Sequence, residues 1–261
     1  MKNALDLFRL NNKVALVTGG TGIVGRPISQ ALAEAGATVV IASRNKEKCA
    51  TFAAELRKQG LKAEGERLDL SSEEDIRSLS GRILSRHQRL DIVFNNAVAR
   101  AGGDLQHMTV AEWENAMRVN STGLFLACQV FSKPMQAQRA GSIINISSIY
   151  GMVGPDFSIY EGTPITNPVN YAFAKGGVIG LTRYLASFLA PDGIRVNCLS
   201  LGGVRTKDTP EAFEQNYCRR TLLGRMAGDD DIKGPALFLA SDASSYVTGQ
   251  NIPIDGGWTA I

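Results

Sequence analysis

Short runs that are apolar at nearly every position alternate along this chain with longer stretches in which apolar residues recur at helical spacing. KVALVT (13–18) is the first such run; it is rich in Val and Leu, stops at Gly19 and Gly20, and predicts a buried strand. IVGRPISQALAEAG (23–36) follows with helical spacing and ends on a glycine, a helix stop signal. TVVIAS (38–43) predicts a second strand, followed by a charged helix from about Asn45 to Gln59. Further strands are expected near 63–68 and at DIVFN (91–95), SIINIS (142–147), IRVNCLS (194–200) and NIPID (251–255). The longest helical stretches between them cover about 109–136 and 169–190.

Strands that are apolar on both faces and separated by helices are parallel strands covered on both sides. The pattern therefore predicts an α/β fold: one doubly wound parallel sheet of about seven strands, a Rossmann fold. It is expected to form a single domain over 1–261, with ligands bound beyond the carboxyl ends of the strands. No internal repeat, low-complexity tract or linker interrupts the alternation.

Composition narrows the function without naming it. A chain of 261 residues, 44% hydrophobic and 20% charged, has enough apolar material for a sizeable core. A net charge of +3, with no run of like charges and no basic stripe, makes nucleic acid an unexpected partner. Cys49, Cys128, Cys198 and Cys218 lack CxxC spacing and read as reduced thiols. His87, expected on an exposed helix end, and His107, expected in a loop, lie far from them, so no metal site is expected. The N-terminal MKNALDLFRLNNK lacks a signal peptide's apolar core, and no segment is long enough to span a membrane. A cytoplasmic location with no membrane partner follows as an expectation.

TGGTGIVG (18–25) joins the first strand to the first helix. Glycines in that position let backbone N–H groups approach a pyrophosphate, and the helix N-terminus adds favourable partial charge. Gly19, Thr21, Gly22, Ile23 and Gly25 are accordingly candidate cofactor-binding residues. A bare glycine run also occurs in ligand-free turns; its place at the first strand–helix junction is what gives it weight. The end of the second strand chooses between dinucleotides, because a carboxylate there would repel a 2′-phosphate. Here it reads Ser43, Arg44, Asn45, with no carboxylate. A hydroxyl and a guanidinium suit a phosphate dianion, so the turn favours NADP(H) over NAD(H), unless Arg44 only decorates a surface turn.

Together these residues resemble the short-chain dehydrogenase/reductase family, in its single-domain branch, from about Asn12 to Ile261. The resemblance is carried by TGGTGIVG, Asp69 in RLDLSS, NNA (95–97), RVNSTG around Asn120, GSIINISS ending at Ser148, YAFAK (171–175), RVNCLSLGGVRT (195–206) and FLASDASSYVTGQNIPIDGGWTA. Their order and spacing carry more than any one of them. The resemblance implies a catalytic set of Asn120, Ser148, Tyr171 and Lys175. It implies that Asp69 meets the adenine, that Asn96 and Ala97 line the adenosine ribose side, and that Val204 and Thr206 hold the nicotinamide amide. Leu70, Gly202, Tyr171 and Lys175 complete the expected cofactor contacts. Three positions depart from the family pattern: Ile23 and Val98 stand where it carries glycines, and Leu201–Gly202 replaces its Pro-Gly.

The chemistry explains these residue types. Oxidising an alcohol requires a hydride acceptor, which nicotinamide supplies, and a base for the hydroxyl proton. A free phenol has a pKa near 10, and bringing it to neutral pH takes a shift of about 2–3 units, or about 3–4 kcal/mol. A nearby ammonium provides much of this. Tyr171 and Lys175 stand one helical turn apart on one face, a spacing that alone is common on helices but here follows a dinucleotide turn. Ser148 would hydrogen-bond the substrate oxygen. Asn120, in the family, holds a water that continues the proton path from the lysine, and an Asn inside a strong helix fits a local kink.

Between Ser148 and Tyr171, MVGPDFSIYEGTPITNP adds roughly ten residues relative to the family, beside the reaction centre. Its Asp, Ser, Tyr, Glu, Thr and Asn side chains suit hydroxyls better than a fatty chain would. The segment at about 204–224 reads as a substrate loop, whose Arg205, Lys207, Arg219 and Arg220 either meet an anion or merely solvate a lid. Ser148, Tyr160, Glu161 and Arg205 are candidate substrate contacts. The expected activity is oxidoreduction of a secondary alcohol or ketone on a sugar, sugar acid or polyol. A 3-oxoacyl-thioester (acyl carrier protein or CoA) reductase is the alternative, and a catalytically silent dinucleotide-binding regulator is the reading from another class. Apolar residues on the two long helices (Leu124, Phe125, Phe131, Tyr184, Leu185, Phe188) lead, by the resemblance, to an expected homotetramer.

Overall fold

The computed structural model describes residues 3–100 and 102–261. Seven strands form one sheet: β1 (Val14–Thr18), β2 (Thr38–Ser43), β3 (Ala63–Arg67), β4 (Ile92–Asn95), β5 (Gly141–Ser148), β6 (Ile194–Leu201) and β7 (Asn251–Ile254). Their order is β3-β2-β1-β4-β5-β6-β7, and every pairing is parallel. β1 and β4 lie side by side while the chain leads away from them in opposite directions, which opens a crevice at their carboxyl ends.

All five positions of β1 are buried: the apolar run Val14, Ala15, Leu16 and Val17, and Thr18, whose hydroxyl donates to the Phe94 carbonyl at 3.2 Å. Ala15 and Val17 face the layer of α1 (Gly25–Glu34), α2 (Lys46–Lys58) and α8 (Asp229–Ala240), against Ile28, Leu32, Phe52, Ile232 and Leu239. Val14 and Leu16 face the opposite layer of α3 (Glu73–His87), α5 (Leu124–Gln138) and α6 (Val169–Leu189), against Ile76, Leu79, Phe131 and Leu189. Alternation along the strand thus feeds two cores.

The helix expected over 109–136 is interrupted. α4 (Val110–Met117) ends in a π-helical turn, Arg118–Gly123, before α5 begins. A Cβ on Gly123 would lie 2.3 Å from the Leu70 carbonyl oxygen, so the turn presses backbone to backbone against the segment after β3. The expected substrate loop is half helix: α7 spans Glu211–Arg220. The insertion forms a short 3-10 turn, Phe157–Tyr160, capped by Asp156. It is bound to α7 by an Arg220–Asp156 ion pair of 3.0 Å and by Tyr160 and Phe213 rings 5.4 Å apart. Ile149, Ile159, Tyr217, Met226 and Trp258 make a separate small core beneath it.

Two of the apolar residues expected on an outer face are corrected by this packing. Leu124 and Phe131 are buried within this chain, and Phe131 fills the core under the sheet. Leu185 is partly buried against the same core. Phe125, Tyr184 and Phe188 are exposed, joined by Phe173. His87 ends α3 as expected, yet is half-buried with Nε2 3.2 Å from Glu64, whereas His107 lies exposed in a loop beside Asp104. No helix among the described residues is long and apolar enough to cross a membrane.

Candidate active site

The turn after β1 is shaped by close backbone approaches. Gly19 adopts a φ of +63°, and a Cβ there would lie 2.9 Å from the Ala97 Cα. A Cβ on Gly25 would stand 2.2 Å from the Gly19 carbonyl oxygen, so only glycine allows α1 to start there. The Asn96 amide donates to the Thr18 and Gly19 carbonyls at 3.0 Å, and the Ala97 N–H donates to the Thr18 hydroxyl at 3.1 Å. These contacts leave Asn96 and Ala97 as the wall behind the turn. Ile23, which replaces a family glycine, is half exposed.

At the end of β2 the Thr21 hydroxyl donates to the Ser43 hydroxyl at 3.4 Å, which links the glycine turn to the selectivity position. The Asn45 side chain caps α2 by accepting from the Lys48 N–H at 2.7 Å, so its side-chain oxygen is already engaged. Arg44 is exposed and has no carboxylate in ion-pair range among the described residues. Burial pushes the Asp69 carboxyl up, but bonds from Ser71 and the charges of Arg44 and Arg67 outweigh it and hold it below the ordinary carboxylate range. Leu70, next in line, is buried. The turn, closed to a Cβ at Gly19 and Gly25, and the polar corner at Ser43–Arg44 fit a nicotinamide dinucleotide.

The reaction centre lies where β5 meets α6. Ser148 ends β5, 6% exposed, and its Oγ accepts from the Tyr150 N–H at 3.2 Å. Tyr171 and Lys175 occupy the first turns of α6, with the Lys175 Nζ 5.6 Å from the Tyr171 ring centroid. Lys175 is 7% exposed, and its Nζ donates to the Ile146 carbonyl at 2.7 Å. Burial pushes the ammonium below its usual pKa, while Tyr171 and Cys198 pull it back up. The Ser147 hydroxyl donates to the Lys175 carbonyl at 2.7 Å, and a Cβ on Gly151 would stand 2.5 Å from that same oxygen. Strand and helix are thereby held at fixed separation.

Asn120 sits in the π-helical turn, where the expected kink falls. Its amide donates to the Ala99 carbonyl at 2.9 Å and its oxygen accepts from the Ala99 N–H at 2.8 Å. Both ends of the side chain are therefore occupied by the segment after β4, and a water on the proton path would have to be held by other atoms. A cavity of about 20 Å³ lies between Asn95, Asn120 and Lys175, walled by Leu70, Leu124 and Val178, and is the size of one water. The Asn95 Oδ1 is buried there without a protein partner, while its amide donates to Asn145 Oδ1 at 2.8 Å.

On the substrate side the Tyr160 hydroxyl donates to the Tyr150 hydroxyl at 3.1 Å, and burial pushes both phenols up from their usual pKa, Tyr150 strongly. Glu161 follows at the surface, where its carbonyl accepts from the Asn216 amide at 3.4 Å. Arg205 is paired to Glu214 at 2.6 Å and Arg220 to Asp156, so these two expected anion contacts are internally neutralised. Val204 bridges to Ala227, the Thr206 and Thr209 hydroxyls lie 3.1 Å apart, and the Gly202 N–H donates to the Ile254 carbonyl at 3.0 Å. The Gly203 N–H donates to the Tyr217 hydroxyl at 2.6 Å, which holds the loop expected to meet the nicotinamide.

Sequence reasoning missed Tyr150, Tyr217 and Arg100. The Arg100 guanidinium stands 5.8 Å above the Tyr171 ring centroid. A second cavity, about 430 Å³ and lined by Gly202, Tyr217, Leu222, Leu223 and Asp255, includes none of Ser148, Tyr171 or Lys175 and is not the reaction centre.

Over residues 20–259 the chain matches the family described as enoyl-(acyl carrier protein) reductase. It is 37% identical to a 3-oxoacyl-(acyl-carrier-protein) reductase of Aquifex aeolicus, over 96% of this chain and 98% of that one. It is 36% identical to a cyclopentanol dehydrogenase of a Comamonas species, over 97% and 99%. Among solved structures, a gluconate 5-dehydrogenase from Burkholderia cenocepacia in complex with NADP and tartrate aligns with a TM-score of 0.89 at 34% identity, covering 99% of this chain and 100% of that one.

Proposed function

This chain belongs to the short-chain dehydrogenase/reductase family of oxidoreductases that act on CH–OH groups, and on that premise we propose that it interconverts a secondary alcohol and a ketone on a sugar acid or polyol, using NADP(H) in preference to NAD(H). The observation that carries the reaction is the placement of Tyr171 beside a buried Lys175 on α6, with Ser148 at the adjacent end of β5. The bound nicotinamide supplies or accepts the hydride. Tyr171 takes the hydroxyl proton in oxidation and returns it in reduction. Lys175 favours the phenolate through its charge, and Ser148 orients the reacting oxygen. Asn120 and Asn95 border the small cavity through which a water would relay protons to Lys175.

The polyhydroxylated substrate is supported by the insertion, which puts the Tyr150–Tyr160 hydroxyl pair and the buried, unpartnered Asn167 amide nitrogen into the stretch between Ser148 and Tyr171. The gluconate 5-dehydrogenase likeness points the same way. The second reading, a 3-oxoacyl-thioester reductase, is favoured by the Aquifex relative and the family match. Initial rates with NADPH and NADH against sugar acids, polyols and 3-oxoacyl thioesters decide between them. Turnover confined to thioesters would reject the sugar-acid reading.

Ser43 and the unpaired Arg44 support the cofactor preference. Arg44→Ala is expected to raise the KM for NADPH by about 10–100-fold, the equivalent of one charge-assisted bond of about 1.5–3 kcal/mol, and to leave the KM for NADH within a few-fold. Equal effects on both cofactors would remove Arg44 from phosphate recognition. The loop at 204–224, the cytoplasmic setting and the homotetramer complete the proposal. Phe125, Phe173, Tyr184 and Phe188 are each at least half exposed, and Tyr184 and Phe188 stack 6.0 Å apart, an outer face suited to a second copy. Light scattering is expected to give the mass of four chains; a monomer would refute this part.

A further inference from the structure

Two of the cations that the sequence places at the substrate site are already paired. Arg205 and Arg220 each have a carboxylate partner, at 2.6 Å and 3.0 Å. Arg100 has none among the described residues, and it alone of these arginines stands over the Tyr171 ring. Its charge also reaches Lys175 and Tyr160, so it borders the reaction centre and the insertion at once.

Its position is fixed from both sides. Ala99, immediately before it, is gripped through its N–H and its carbonyl by the Asn120 side chain. Beyond it the Gly103 carbonyl accepts from the Val169 N–H at 3.4 Å, at the start of the helix that carries Tyr171. Gly102 adopts a φ of +101° beside the Met108 methyl. A guanidinium over an aromatic face keeps its in-plane N–H edge free for two parallel bonds to a carboxylate.

We propose that Arg100 is the specificity-determining residue of this site: it binds the carboxylate of a hydroxy- or keto-acid substrate whose carbinol carbon is presented to Tyr171. This rests on the oxidoreductase reading above and refines its substrate class to an acid. A carboxylate held by Arg100 lies on the Tyr171 side of the pocket, so acid and carbinol must belong to one short, compact molecule. A thioester offers Arg100 no charge near its reacting carbonyl. The bidentate edge favours the planar carboxylate over a neutral polyol of equal length.

The test is calorimetric titration of tartrate into the enzyme loaded with reduced nicotinamide cofactor, which cannot reduce tartrate further. Wild type is expected to bind, Arg100→Ala to bind at least ten-fold more weakly, and Arg100→Lys to fall between them. The neutral tetritol of the same length serves as the comparison, and its affinity is expected to change far less. In turnover, the ratio of kcat/KM for a keto acid over that for its methyl ester should fall at least ten-fold in Arg100→Ala. Equal tartrate affinity in wild type and Arg100→Ala, or no tartrate binding by wild type, overturns the proposal. If tartrate binding drops as expected while only thioesters are turned over, the anion site stands and the sugar-acid reading falls, so the two failures are distinguishable.

Discussion

Tyr171→Phe is expected to lower kcat by about 10²–10⁴-fold, the usual worth of a positioned general acid or base, while cofactor affinity stays within a few-fold. The substitution removes one oxygen and keeps the ring. The aromatic face under Arg100 and beside the Lys175 ammonium is therefore retained, and neither the glycine turn nor the Ser43–Arg44 corner is touched. Because the lost group acts only on the proton that moves, kcat and kcat/KM should fall together, with little change in substrate KM. Stopped-flow cofactor binding and steady-state rates on the same preparation separate the two effects. Turnover within three-fold of wild type would remove the phenol from the reaction and revive the catalytically silent reading. Loss of cofactor binding would mean that the hydroxyl also holds the cofactor, so that the fall in rate would not isolate the proton transfer.

How much of this was legible in the sequence depends on how local each feature is. β1 was readable because four of its five residues are apolar, and it forms within one residue of the expected run. The break at Arg118–Gly123 was legible only as a kink at Asn120, since its cause is distant: Leu70 backbone against Gly123, and Ala99 in the grip of Asn120. The catalytic candidates sit at strand ends and helix starts with characteristic neighbours, and the fold brings Tyr171 and Lys175 into one pocket. The substrate arginines were not legible in the same way. Arg205 finds Glu214 nine residues on and Arg220 finds Asp156 in the insertion, so charge that looked available is neutralised by tertiary contacts. Nothing local marks Arg100 in the sequence: its place over Tyr171 comes from the tertiary fold, with Asn120 holding Ala99 beside it.

Lys175→Met is expected to lower kcat by about 10²–10³-fold, the rate equivalent of losing roughly 3–4 kcal/mol of phenolate stabilisation. Met keeps the length of the stem within the pocket but brings no charge and no donor. The Ile146 carbonyl would be left without its 2.7 Å partner, so stability should also fall, by about 1–3 kcal/mol. The pH profile distinguishes a charge effect from a packing defect. Burial lowers the pKa of the wild-type ammonium from its usual 10.5, so this cation is lost at lower pH than an exposed lysine would be. Its help to the phenolate is present below that lowered pKa and disappears as pH rises through it. Wild-type oxidation should therefore show an alkaline limb that begins below pH 10.5. In Lys175→Met that limb should vanish, because the cation whose loss produces it is gone. A variant that keeps the wild-type profile at reduced amplitude would show that Lys175 serves only to hold the strand and helix in place.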